Sequence, residues 1–168
     1  FKKIVTQCPH CLTTLKNDYS ELGANLEVVH HSQYISELIK DGKIKPEPWM
    51  DKDVTYHDPC YLGRHNDEYD APRDVIQSIM RDGKLVEMEK NKKESFCCGA
   101  GGGNMWYEIK TGERINKNRF NQAVDTNAKT VAAACNFCNI MLEDGMKVTG
   151  NDKDMEVLDI AEMVSKGL

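Results

Sequence analysis

The chain has 168 residues, 40% of them hydrophobic, which is enough for one good core or two small ones. Its net charge is −5 at pH 7, and Lys90, Lys92 and Lys93 alternate with acids instead of forming a basic patch, which argues against nucleic acid as the main partner. No apolar run approaches the ~20 residues needed to cross a bilayer, so no direct membrane insertion is expected, although a partner could hold the chain at a membrane.

The sequence starts at Phe1 without Met and runs straight into Lys2-Lys3-Ile4-Val5-Thr6, so it is expected to be part of a longer protein. Residues 2–6 read as a strand ending at Cys8-Pro9-His10-Cys11. Behind it Leu12, Leu15, Tyr19 and Leu22 fall at helical spacing until Gly23. Residues 26–30 read as a second strand, followed by a helix with Tyr34, Ile35, Leu38 and Ile39 on one face as far as Gly42. Pro46 and Pro48 stiffen an expected linker at 46–52.

Residues 53–57 form the next expected strand, ending at Asp58-Pro59-Cys60. Asp70 with Pro72 opens a helix bearing Val75, Ile76, Ile79 and Met80, and residues 84–88 supply another strand. A long polar helix is expected over 104–124, with Gly112 as its weak point. Residues 130–134 then lead into Cys135-Asn136-Phe137-Cys138 and a helix, with a strand at 155–158 and a helix at 160–164.

The tail thus repeats the strand, CxxC, helix, strand, helix scheme of the first part, which reads as an internal repeat whose first copy lacks its own Cys and Cys-Cys parts. Strands alternating with helices predict an α/β fold with small, largely parallel sheets flanked by helices, in which loops leaving the carboxyl ends of strands meet on one rim.

Seven cysteines grouped as CxxC, CC and CxxC do not resemble a secreted disulfide scaffold and suggest a reducing, cytoplasmic setting with thiolates kept for metal or redox work. The centre of the pattern is Cys97-Cys98-Gly99-Ala100-Gly101-Gly102-Gly103, flanked by equal gaps to Cys60 upstream and Cys135 downstream. Adjacent cysteines suit a metal that accepts thiolates at varied angles. The glycines let backbone N–H groups approach an inorganic centre. A dinucleotide loop is disfavoured, since GxGxxG from Gly99 would need glycine at Asn104. One cubane [4Fe–4S] cluster or one structural zinc takes four thiolates, so five convergent ones are a surplus.

The pattern Cys60…Cys97-Cys98-Gly99…Cys135-x-x-Cys138 resembles the cysteine-rich CCG domain of iron–sulfur oxidoreductases of the heterodisulfide reductase type, in particular their B-type and D-type members. His57-Asp58-Pro59-Cys60-Tyr61-Leu62-Gly63-Arg64 is similar to the branch that sits beside electron-transfer flavoproteins and passes electrons toward quinone. The resemblance implies that residues 53–168 are a complete second CCG domain and 1–45 the last part of a first one. It further implies that Cys60, Cys97, Cys98, Cys135 and Cys138 can hold a noncubane [4Fe–4S] cluster, with Gly99, Gly101, Gly102 and Gly103 shaping the loop and zinc as the alternative. Cys8 and Cys11 would then be half of a second site. The implied partners are a flavoprotein donor, a ferredoxin-like cluster domain, and a disulfide or quinone acceptor.

Among the neighbours, His57 is a candidate proton or hydrogen-bond donor beside Cys60. Arg64 and His65 are expected at the surface, and His30 and His31 as structural residues. Trp106 and Tyr107 are expected either to screen the site from water or to pack at a helix start.

Overall fold

β-Branched and small residues build two parallel sheets in the computed structural model, which describes residues 3–107 and 111–168. The smaller sheet pairs β1 (Ile4–Thr6) with β2 (Val28–His30). Between them run α1 (Pro9–Thr13), a π-helical stretch over Thr14–Asp18 and α2 (Tyr19–Glu21), and α3 (His31–Lys40) follows β2.

The larger sheet has the order β4-β3-β5-β6, from β3 (Val54–His57), β4 (Leu85–Val86), β5 (Thr130–Ala133) and β6 (Glu156–Asp159), all parallel. Its connections carry α4 (Cys60–Asn66), α5 (Asp70–Ser78), α6 (Ile115–Val124) and α7 (Asn136–Val148), and α8 (Ile160–Ser165) follows β6. The α/β architecture with small parallel sheets is as expected. No described helix is long and apolar enough to cross a membrane.

Helices cover both faces of the larger sheet, so the alternation along each strand sorts side chains between two cores. Val54, Tyr56, Ala132 and Ala134 point into a cluster with Ile76, Ile79, Ile160 and Met163, and Leu12 and Val28 from the smaller sheet's layer join that same cluster. Val131 and Ala133 point the other way, toward Phe120 of α6 and Leu142 of α7. The register pairs His57 with Ala133, which puts the His57 ring on this second face.

The stretch at 46–52 is tied to this body. Met50 is buried and bridges Met80, and Trp49 Nε1 donates to the Met163 carbonyl at 3.0 Å.

Several local expectations are corrected. The single helix expected over 104–124 is split, with a 3-10 stretch over Gly101–Trp106 and an α-helix that begins at Ile115. Gly102 and Gly103 adopt positive φ of 68° and 77° inside the 3-10 stretch, which ends at the extended Tyr107, while Gly112 at φ 74° and the extended Arg114 precede the α-helix. Residues 108–110 of that expected helix, and Lys2 of the first expected strand, lie outside the described residues. The strand at 84–88 shrinks to Leu85–Val86, and α4 was not anticipated.

Tyr19 and Leu22 are exposed, because the π-helical stretch ahead of them rotates the chain off the apolar stripe. In α3 the fully buried positions are His31, Ser32 and Ser36 rather than the apolar set, since a polar cluster closes the gap between the sheets.

His30 anchors that cluster. It caps α3, receiving the Ser32 N–H at its Nδ1, while its Nε2 donates to the Gln7 carbonyl at 3.0 Å. Burial, reinforced by neighbouring His31, lowers its pKa to about 3. An unfolded histidine protonates near pH 6.5, so the ring contributes stability that is complete above that pH and drains away as pH falls toward the folded value. Acidification from pH 6.5 to 5 is therefore expected to cost about 2 kcal/mol through this ring. Urea denaturation across that range should show the slope in the native sequence and a flatter one in His30→Gln. Parallel slopes in the two chains would refute the assignment.

Candidate metal centre

Three stretches leaving the carboxyl edge of the larger sheet deliver the cysteines. β3 ends at His57 and Cys60 opens α4. β5 ends at Ala133, Cys135 caps the amino end of α7, and Cys138 lies in that helix's first turn. The loop after β4 brings in Cys97 and Cys98. It is pinned where Ser95 Oγ donates to the Asp58 carbonyl at 3.0 Å and Arg64 donates to the Ser95 carbonyl at 2.8 Å.

Cys60, Cys97, Cys98, Cys135 and Cys138 all line one cavity, closed by Pro59, Tyr61, Ala100, Gly101 and Phe137 and, from α1, by Pro9 and His10. All seven cysteines of the chain are free thiols. Of the five in the cavity, Cys98, Cys135 and Cys138 are buried and Cys60 and Cys97 half-buried.

Crowding of the thiols splits their acidities. Cys98 is lowered well below an ordinary thiol by the neighbouring Cys138 and Cys97 side chains first and by the His57 ring, against the opposing effect of burial. Cys135 is also lowered, by the Cys138 side chain first and by the backbone N–H groups of Cys138 and Phe137, as expected at the start of a helix. Cys138 and Cys97 are raised by donating to these sulfurs, and Cys60 by burial. Two of the five thiols are thus more acidic than an ordinary one and three less so.

His57 is fully enclosed, and burial lowers its pKa, so the ring is neutral. One of its nitrogens, Cys98 Sγ and Cys138 Sγ lie within 4.8 Å of one another. Arg119 Nε donates to His57 Nδ1 at 2.9 Å, while His57 Nε2 has no nitrogen or oxygen partner.

An ion-pair network steadies the Cys60 limb. Asp58 takes a bidentate contact from Arg73 at 2.8 and 2.9 Å and the Lys92 N–H at 2.8 Å, and Arg73 reaches on to Glu87 at 2.7 and 2.9 Å.

The donor set suits a thiolate-bound centre. Five soft ligands surround one space, and the backbone folds inward at the glycines. Gly99 sits at φ 94° with its N–H 3.3 Å from Cys97 Sγ, and a Cβ there would come within 3.2 Å of Asn116 N and Ile115 Cβ.

Not every residue singled out from sequence reaches this space. Gly101 lines it, but Gly102 and Gly103 line an adjoining open cleft with Trp106 and Met105. Trp106 and Tyr107 are 82% and 72% exposed, so they neither cover the cavity nor pack at a helix start. Cys8 and Cys11 stand outside the lining, with Cys8 Sγ 3.8 Å from His10 Nδ1 and Cys11 exposed.

Arg64 spends its guanidinium on loop carbonyls and His65 stacks on Tyr61 at 4.2 Å. Arg119, Arg73 and His10 were missed. Nothing in the local sequence marks them, although Asp58 beside a predicted strand end could have prompted a search for a cationic partner.

A family model described as the CCG cysteine-rich domain matches residues 54–143. The chain is 41% identical to the EtfAB:quinone oxidoreductase of Syntrophomonas wolfei, over 99% of this chain and 24% of that protein. It is also 41% identical to the probable iron-sulfur-binding oxidoreductase FadF of Bacillus subtilis, with the same coverage of each. To the D-type polypeptide of the dihydromethanophenazine:CoB–CoM heterodisulfide reductase of Methanosarcina barkeri it is 39% identical, over 99% of this chain and 41% of that protein. The chain therefore spans less than half the length of these relatives.

Proposed function

Since the chain belongs to the cysteine-rich CCG domain family, we propose that it carries an iron–sulfur centre on Cys60, Cys97, Cys98, Cys135 and Cys138 and passes electrons within a larger oxidoreductase. The observation that carries this reading is the single cavity lined by five free thiols. A [4Fe–4S] centre there, noncubane if all five sulfurs bind, would supply one-electron chemistry at a potential set by its surroundings.

The chain's own part is to gather the sulfurs, favour the thiolate form at Cys98 and Cys135, and wall the space with Pro59, Tyr61 and Phe137. The Gly99 N–H is aimed at Cys97 sulfur, where it offsets negative charge. His57 stands within the same group of atoms as a neutral ring able to donate a hydrogen bond.

The names of the relatives point to a quinone or a heterodisulfide as the acceptor, and a flavoprotein suits the role of donor. In this reading residues 53–168 are a complete CCG domain. Residues 1–45 are the end of a preceding one, whose Cys8-x-x-Cys11 pair completes a second site only with cysteines from elsewhere.

A zinc site is the competing reading, favoured by the approach of one His57 nitrogen to the Cys98 and Cys138 sulfurs. Metal and acid-labile sulfide analysis with optical and EPR spectra, on chain prepared without oxygen and with ample iron, separates the two. About four irons with matching sulfide per chain are expected. A colourless chain with one zinc and no sulfide overturns the proposal.

A further inference from the structure

We propose that Arg119 is a positioning residue that locks the His57 ring as an Nε2–H donor to the Cys98 sulfur, and through that bond makes the proposed iron–sulfur centre easier to reduce. The inference rests on Cys98 being a ligand, as argued above.

The geometry leaves the ring one arrangement. Arg119 is fully buried, and although burial lowers its pKa to about 10, it remains a cation at neutral pH with no lone pair to offer. Its Nε–H points at His57 Nδ1 from 2.9 Å, so Nδ1 must accept and the ring's single proton belongs on Nε2. Nε2 is buried and meets no oxygen or nitrogen. One ring nitrogen lies within 4.8 Å of the Cys98 and Cys138 sulfurs, and Cys98 is the sulfur whose charge bears on the ring.

The guanidinium cannot turn away, because each remaining nitrogen is committed. Nη1 donates to the Lys90 carbonyl at 2.9 Å and to Gln122 Oε1 at 2.7 Å, and Nη2 donates to Ser95 Oγ at 3.3 Å. Lys90 and Ser95 belong to the segment that leads into Cys97-Cys98, so one arginine fixes both the imidazole and the approach of the sulfur it serves.

An N–H directed at a ligand sulfur stabilises the added negative charge of the reduced state and so raises the reduction potential. A ring in the other tautomer would aim a lone pair at Cys98 and repel it.

The test has two arms. In the metal-free chain, two-bond 1H–15N correlation spectra of labelled histidines are expected to show His57 as the Nε2–H tautomer. A His57 protonated on Nδ1, or on both nitrogens at pH 7, overturns the lock.

In iron-loaded chain, EPR-monitored titration with dithionite is expected to give His57→Gln, whose amide N–H stands near the Nε2 position, a potential close to the native one. His57→Phe should fall by about 59 mV, a tenfold change in the ratio of reduced to oxidised centre. Arg119→Met should fall in the same direction, with His57→Phe adding little on top. Unchanged potentials in His57→Phe overturn the tuning. If Arg119→Met does not fold, the contrast between the Gln and Phe variants decides the tuning and the spectra of the native chain decide the lock. Chain that shows the tautomer but takes up no iron defeats the iron–sulfur reading and leaves the lock standing.

Discussion

The Arg73→Leu chain is expected to lose about 3–5 kcal/mol of folding free energy, the cost typical of stripping one partner from a buried ion pair. Arg73 and Asp58 are 7% and 3% exposed and joined by two hydrogen bonds, so the substitution leaves a carboxylate enclosed with only the Lys92 N–H to answer it. Glu87, the other partner of Arg73, is more open to water and contributes less.

Against a typical total of 5–15 kcal/mol the loss is large, and urea denaturation followed by circular dichroism reads it directly. The double change Asp58→Asn with Arg73→Leu should recover part of the loss, because the enclosed charge is gone while an acceptor for Lys92 remains. A single variant within about 1 kcal/mol of the native chain would show that the network carries little weight.

Cys98→Ser is expected to empty the centre while leaving the fold intact. The replacement keeps nearly the same volume in a buried position but exchanges a soft sulfur for a hard oxygen. Cys98 also sits where the Cys97, Cys138 and His57 side chains converge, so no neighbour substitutes for it. Outer-shell changes already weaken metal binding by about tenfold, and a ligand should cost at least that. Iron and sulfide per chain, measured beside far-ultraviolet circular dichroism, report the result. Cys11→Ser is the control, since Cys11 is exposed and outside the cavity lining. Iron content that falls equally in both variants would move the centre away from the five-thiol cavity.

Much of this arrangement was legible from residue patterns. Val54 to His57 and Thr130 to Ala133 read as buried strands because β-branched and small residues survive enclosure on both faces. Asp70 and Pro72 announced α5, and the cysteine spacing announced the cavity. What stayed hidden was set by contacts between distant residues. Arg119 meets His57 across 62 positions, and in the sequence it is one more cation on a polar helix.

α4 escaped notice because glycine at position 63 argues against a helix, yet the Tyr69 ring packs where a Cβ would stand. The helix expected from 104 is interrupted where Tyr107 and Arg114 are extended, with the left-handed Gly112 at the weak point the sequence marked. The buried positions of α3 are polar because His31 lies 3.4 Å from Asp159 and Ser36 donates to Asp74 at 3.5 Å, while Ile35 packs at the edge of the core.

Leu12 and Val28 share one core with Ile79, Ile160 and Met163. A shortened chain beginning at the expected boundary near residue 53 would bare that apolar surface, inviting self-association and precipitation. Any attempt to express the five-thiol half by itself should therefore carry the first forty-odd residues along, or replace the exposed methyl-rich patch with polar side chains before purification is tried.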